Sequence, residues 1–271
     1  MNAIARSLVP WCRPRLEQRR LRGAWVLGLQ GPQGCGKSTA AAALVEGVRR
    51  EGWRAVSVSI DDFYLTHSQQ RALAKQHSGN PYLLYRGYPG THDVALGARS
   101  IDALASCGAH SDAVVPVYDK SAHDGRGDRA PKFLWRRVRG PFDLVIVEGW
   151  MLGFTPVDEA TLAPALVAPN RYLAGYDAWN ARLHACVQLT VESPATIVAW
   201  RVESERARRA AGETALSDDD ATDYIRRFLP AYRVYVPALR AHPPCADFLS
   251  LTLGPNREPI DCEANLSPVD R

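Results

Sequence analysis

No run of apolar residues in this chain of 271 residues reaches the 18 or so that a membrane-spanning helix needs, so no transmembrane segment is expected. No two of the six cysteines (Cys12, Cys35, Cys107, Cys186, Cys245 and Cys262) form a C-x-x-C pair. They lie far apart in a chain long enough to bury a core without disulfide staples. Reduced thiols in a cytoplasmic protein are the plain reading. Charge of one sign is also lacking. The 33 Lys and Arg against 29 Asp and Glu leave a net +4, with the arginines widely spread. That balance argues against a nucleic-acid partner and is compatible with a small anionic ligand. The first 22 residues are Arg-rich but lack the apolar h-region of a secretory signal. Pro10, Pro14 and Glu17 mark them as a short exposed lead-in. There is no internal repeat, no low-complexity segment and no N-K-x-D base-reading motif, which disfavours a GTPase switch.

What is present is an alternation of strands and helices. Residues 24–30 (AWVLGLQ) read as a buried strand, followed by a glycine-rich loop and an Ala-rich helix over 38–50. Residues 55–60 (AVSVSI) form a second strand ending at Asp61-Asp62, and 142–147 (FDLVIV) form the strongest strand in the chain, meeting Glu148-Gly149. A continuous apolar run of this kind indicates a strand covered on both faces. Weaker signals put a short strand around Pro116 (114–118), part of a helix at 101–105, a helix over 173–185 and a strand over 186–191. A long charged helix covers 193–211, Ser217-Asp218-Asp219-Asp220 opens another, and a short hairpin with a frayed end follows Gly254. The pattern predicts an α/β fold: a doubly wound parallel sheet with helices on both faces and a small lid. One domain over 23–254 is expected, between an N-terminal extension (1–22) and a C-terminal tail (255–271).

Gly31-Pro32-Gln33-Gly34-Cys35-Gly36-Lys37-Ser38, followed by Thr39, satisfies G-x-x-x-x-G-K-[ST] between a strand and a helix. Glycines let backbone N–H groups curl toward phosphate oxygens, and the helix N-terminus adds positive potential. Lys37 would reach the β- and γ-phosphates and Ser38 a Mg²⁺ ion. A kinase-type P-loop NTPase using ATP is the expectation. Asp61, at a strand end where α/β sheets bind ligands, suits acceptance of a hydroxyl proton. Asp62 reads equally as a cap. Glu148 suits a Walker-B-like role beside Mg²⁺. The segments 86–93 and 118–129 carry Arg86, Lys120, Arg126 and Arg129, more cationic charge than triphosphate alone requires. They point to an acidic acceptor, although solvated loops would look similar. His92 taken alone is more often structural. Arg201, Glu205 and Arg209 share a helix face that is either solvated or part of a lid over the transferring phosphoryl.

The ordered blocks GPQGCGKST, SIDDFYLT, YRGYPGTHD, VPVYDKSAHDGRGDR, VIVEGWMLGF, NRYLAGYDAW and LSDDDATDYIRRFLPAYRVYVPAL resemble the plant and fungal D-glycerate 3-kinase family, over about residues 24 to 240. That family is related to the pantothenate kinase, uridine kinase and phosphoribulokinase branch of P-loop kinases. The resemblance implies ATP and Mg²⁺ as cosubstrates and 3-phosphoglycerate as product. It assigns Asp61 as catalytic base and Glu148 as the acidic strand end. It puts Arg86, His92 and Asp93, with Tyr64 of the SIDDFYLT block, at the acceptor, and Arg201 and Arg209 in the lid. The alternatives are a pantothenate- or uridine-type acceptor on the same fold, or a regulatory NTP-binding protein.

Overall fold

The computed structural model describes residues 2–19 and 23–265. Helix α1 (Ala3–Arg19) precedes strand β1 (Trp25–Gln30), the glycine loop and helix α2 (Lys37–Arg50). Strand β2 (Ala55–Ser59) passes through a one-turn 3-10 helix (Ile60–Phe63) into α3 (His67–Gln76) and α4 (Val94–Ala105). Four short strands follow: β3 (Asp112–Val115), β4 (Tyr118–Asp119), β5 (Asp128–Arg129) and β6 (Arg136–Arg139). Then come β7 (Leu144–Gly149), α5 (Pro164–Leu173), α6 (Asp177–Asn180) and β8 (Ala185–Val191). The chain ends with α7 (Pro194–Ala210), α8 (Asp218–Arg226), α9 (Leu229–Ala241) and the hairpin β9 (Asp247–Leu253)–β10 (Pro259–Asn265).

The main sheet has six strands in the order β10-β9-β8-β1-β7-β2. All neighbours pair parallel except β10, which runs antiparallel to β9 at one edge. Successive side chains of a strand point to opposite faces, and the core divides accordingly. Trp25, Leu27, Leu29, Leu144, Ile146, Val187 and Leu189 pack beneath α1 and α2. Val26, Val58, Val145, Val147 and Cys186 face a second core containing Ile101 and Leu104 of α4, Leu166 and Leu173 of α5, and Tyr235 and Leu239 of α9. Both faces are covered, as the apolar runs required. Ser59 of β2 and Leu29 of β1 both register with Glu148 of β7. The glycine loop, the Asp61 turn and Glu148 therefore meet at one end of the sheet.

The first helix departs from expectation. Residues 3–19 are not an exposed lead-in. Ile4, Leu8, Cys12 and Leu16 recur every four residues and are buried on α2 with Ala5 and Val9. Each large apolar side chain so buried contributes roughly 1.5–3 kcal/mol, enough together to offset two internal prolines at about 3 kcal/mol each. Pro10 lies on the exposed side. Arg15 is buried with the apolar stripe and makes a two-pronged pair with Asp247 at 2.6 and 2.8 Å, while its guanidinium stacks on Trp11.

Two weaker expectations also change. Pro116, without an N–H for a ladder, separates β3 from β4, which pair with β6 and β5 in two small antiparallel sheets. The helix expected over 173–185 lies earlier. Pro164 starts α5 at its first turn, and the chain loosens around Gly175 into a 3-10 turn and the four-residue α6.

Candidate active site

The glycine loop is shaped by close approaches. A Cβ on Gly31 would lie 2.8 Å from Cβ of Leu189, and one on Gly34 would lie 2.9 Å from Cβ of Trp200. Gly34 and Gly36 both take positive φ, at 79° and 85°, a conformation that costs other residues energy. Gly36 caps α2 with no side-chain hydrogen bond to the helix. The first N–H groups of α2 thus have no side-chain acceptor at the cap, the arrangement that receives phosphate. Lys37 Nζ donates to the Pro32 carbonyl of its own loop at 2.9 Å. Cys35 is buried beneath the loop, and burial pushes its thiol pKa up.

Ser38 Oγ donates to Oε1 of buried Glu148 at 2.8 Å. Asp62 and Arg136 line the same small cavity. Burial raises the Asp62 carboxyl to about 6, and the Asp61 charge adds to the rise, while Arg136 opposes it. Hydroxyl and carboxylate oxygens suit Mg²⁺, which takes few protein ligands and keeps its remaining positions for phosphate oxygens and water. Among the described residues no cluster of three His, Cys, Asp or Glu could hold a metal by itself.

On the other side of the 3-10 turn a cleft of about 840 Å³ opens. Asp61 lies in it, with Lys120 Nζ at 2.5 Å from its Oδ2. Burial pushes the Asp61 carboxyl up, but Lys120 outweighs it and holds the group below its ordinary value. Tyr64 stacks on His92 with ring centroids 4.3 Å apart and meets the Tyr118 ring edge-on. Arg86 crosses the cleft wall. It donates to the Gly125 carbonyl at 2.8 Å and to that of Arg126, and lies near the Tyr118 ring. From α7, Arg201 and Arg208 reach in, both paired with Glu205, which is only 1 % exposed.

Several expected site residues sit elsewhere. His92 lies buried behind Tyr64. Its Nδ1 is 2.8 Å from the Tyr176 hydroxyl, and burial pulls its pKa down to about 3, so it is neutral. Asp93 caps α4 by accepting from Leu96 N and pairs with Arg129 at 3.3 Å. Arg129 also donates to the Tyr64 carbonyl, bracing that residue from behind the cleft. Arg126 stacks over Tyr85 in a neighbouring cavity. Arg209 turns to Asp218 and the Leu216 carbonyl. The arginine that accompanies Arg201 is Arg208, which the motif reading passed over. A step of seven residues falls about 20° short of two helical turns, whereas eight overshoots by about 80°. That spacing was the available signal.

A further cavity of about 610 Å³ borders Gly34 to Thr39. Its other walls are Ala3 and Ile4 of α1, Glu203 and Ala207 of α7, and the β9–β10 turn. There Arg257 donates to the Gly34 carbonyl at 2.8 Å and pairs with Glu203 at 2.7 Å.

No family model matches the chain. It is 38% identical over 244 residues to the chloroplastic D-glycerate 3-kinase of Arabidopsis thaliana, a match covering 87% of this chain and 54% of that protein. The chain thus spans about half the length of that relative. It is 34% identical over 253 residues to an uncharacterised kinase of Schizosaccharomyces pombe, covering 87% of this chain and 90% of that one. Among solved structures it matches a D-glycerate 3-kinase from Cryptococcus neoformans with a TM-score of 0.89 at 27% identity, over 97% of this chain and 100% of the other. Sequence and fold agree with the phosphate loop and the carboxylate pair at the strand ends: the chain belongs to the family of P-loop kinases that includes D-glycerate 3-kinase.

Proposed function

We propose that the chain transfers the γ-phosphoryl of ATP to the 3-hydroxyl of D-glycerate, giving ADP and 3-phosphoglycerate. The observation that carries the reading is the Asp61–Lys120 pair inside a cleft walled by Arg86, Arg201 and Arg208. A carboxylate able to take a proton stands among more cations than a neutral acceptor would use. The likeness to relatives named D-glycerate 3-kinase supports the same substrate.

In this reading the triphosphate lies along the loop from Gly31 to Thr39, with its base and ribose in the cavity beside α1 and Arg257. Lys37 leaves the Pro32 carbonyl for the phosphates. The acceptor hydroxyl approaches Asp61, which takes its proton as the oxygen bonds to the γ-phosphorus and the bond to the β–γ bridging oxygen breaks. Arg86 and Lys120 bind the acceptor carboxylate. Arg201 and Arg208 face the phosphoryl in transit. Ser38 and Glu148 would hold Mg²⁺, which when bound neutralises charge on the phosphate oxygens.

The test is a panel of D-glycerate, L-glycerate, pantothenate, uridine and ribulose 5-phosphate, read by acceptor-dependent ADP release, with the product from glycerate identified by NMR. 3-Phosphoglycerate from D-glycerate is expected. A 2-phosphoglycerate product would overturn the regiochemistry. Turnover of uridine or pantothenate without glycerate would overturn the substrate.

A further inference from the structure

The arginines of this protein are mostly neutralised by acidic partners. Three that are not ion-paired among the described residues line one cavity: Arg71, Arg86 and Arg126. The cavity has a volume of about 450 Å³ and lies between α3 and the segment before Arg86. No acidic residue lines it. Its rim carries Leu84, 49% exposed, and Tyr85, 37% exposed and lying under the Arg126 guanidinium.

A second observation marks the cavity as a ligand site. Gln70, only 8% exposed, donates its Nε2 to the Leu83 carbonyl at 2.9 Å. Its Oε1 is buried without a hydrogen-bond partner. A buried amide oxygen left unsatisfied is destabilising. It accepts hydrogen bonds and cannot satisfy an anion. A fitting ligand therefore brings both negative charge for the guanidinium groups and a hydroxyl for Gln70.

We propose that this cavity is a second site, adjoining the acceptor cleft and sharing Arg86 with it, that binds a small phosphorylated hydroxy acid and lowers acceptor affinity. The link between the two cavities is Arg86, which lines both. Its guanidinium rests on the carbonyls of Gly125 and Arg126 and approaches that of Lys120 at 3.4 Å. An anion that draws on Arg86 and Arg126 therefore pulls on the segment that sets Lys120 against Asp61. By linkage the acceptor must weaken the anion's binding by the same factor. The chemical class is that of a phosphorylated product of hydroxy-acid kinases, so the site would act as a brake when such compounds accumulate.

The test needs no turnover; the acceptor-cleft site rests on the proposed substrate, while the second site is read on its own through Arg71. Calorimetric titration of the full chain with 3-phosphoglycerate should report two sites. Arg71 is an exposed side chain outside the acceptor cleft, so Arg71→Glu should fold normally. It should lose one site, by at least tenfold in Kd, and retain the other. Lys120→Ala should keep the site that Arg71→Glu loses. Phosphoenolpyruvate, which has the charge but no hydroxyl, should bind that site several-fold more weakly. In steady state, 3-phosphoglycerate should raise the apparent KM for acceptor along a curved replot against its concentration in the wild type and along a straight line in Arg71→Glu. An Arg71→Glu titration indistinguishable from wild type would overturn the proposal, whereas a single wild-type site that Arg71→Glu abolishes would support it and overturn glycerate as the acceptor.

Discussion

Lys120 Nζ sits 2.5 Å from Asp61 Oδ2 although the two residues are 59 apart in sequence. β4, which ends at Asp119, delivers the lysine. The turn after β2 delivers the aspartate. Without Lys120, burial alone would raise the Asp61 carboxyl, and with it the group stays below its ordinary value. Lys120 therefore keeps the proposed base ionised through the working pH range. Lys120→Met should move the acidic limb of the kcat/KM profile to higher pH, because protonation of Asp61 then begins sooner. An unshifted limb would separate Lys120 from the titration of the base. Asp61→Asn, which keeps the shape but cannot take a proton, should lower kcat by about 10²–10⁴-fold with little change in ATP affinity.

Asp62 has the opposite shift. Its carboxyl is raised to about 6, chiefly by burial. The folded state thus holds this proton more tightly than the unfolded chain does. The stabilising contribution is full below the unfolded value near 4 and is lost as pH rises through about 6. At pH 7.5 the ionised form destabilises the fold. Asp62→Asn should therefore raise Tm at pH 7.5 and lose that advantage by pH 4, with a gain on the order of 1 kcal/mol after solvent screening. Thermal melts at the two pH values check it. A gain of equal size at both would remove the titration argument.

The phosphate loop offers a cleaner separation of stability from activity. Lys37 makes one hydrogen bond to its own loop and belongs to neither core. Lys37→Ala should melt with the wild type and lose most kinase activity. Gly34→Ala should lose both, since its Cβ meets Trp200 at 2.9 Å on a backbone with φ 79°. Circular dichroism melts beside an ADP-release assay distinguish the two outcomes.

The features legible in the sequence were local ones. Residues 24–39 and 142–149 state strand, loop and ligand contact within one short window, and the structure has β1, the loop, α2 and β7 where those windows put them. What the sequence reading missed depends on tertiary partners. Arg129 and Asp93 have the residue types of a substrate site, yet they find each other at 3.3 Å and brace Tyr64 and α4. His92 is surrounded by Tyr64, Tyr176 and Trp179, which no spacing along its own segment announces. The β6 strand, 136–139, has three arginines in four residues and gains strand structure only through β3.

Glu205 is the hinge of charge on α7. It is 1% exposed, accepts from Arg201 at 2.5 Å and from the Leu216 backbone N–H at 3.0 Å, and lies 3.6 Å from Arg208. It fixes both cleft arginines and the turn into α8. Glu205→Gln keeps the volume but removes the charge that aligns them. The expected result is a loss of about 1–3 kcal/mol in stability and a larger drop in kcat than in acceptor binding. Denaturant melts and steady-state kinetics on one preparation measure both. An unchanged kcat would show that Arg201 and Arg208 are held by something other than Glu205.

The last prediction concerns α1, which sequence reading set aside and which forms a wall of the cavity beside Lys37. Its anchor is Arg15, whose side chain is 3% exposed and whose partner Asp247 is 13% exposed at the start of β9. A buried ion pair of this kind is costly to break on one side, because the remaining charge has no solvent to return to. Arg15→Met should therefore cost about 3–5 kcal/mol and loosen α1 from the sheet. Replacing both partners, Arg15→Met with Asp247→Leu, removes the stranded carboxylate and should recover most of that loss. The same cycle tests whether α1 contributes to the nucleotide cavity. If it does, Arg15→Met should raise KM for ATP more than KM for the acceptor, since Ala3 and Ile4 line only the cavity beside the phosphate loop. The double variant should restore KM for ATP along with stability. A single variant that is destabilised with KM for ATP unchanged would leave α1 a purely structural brace.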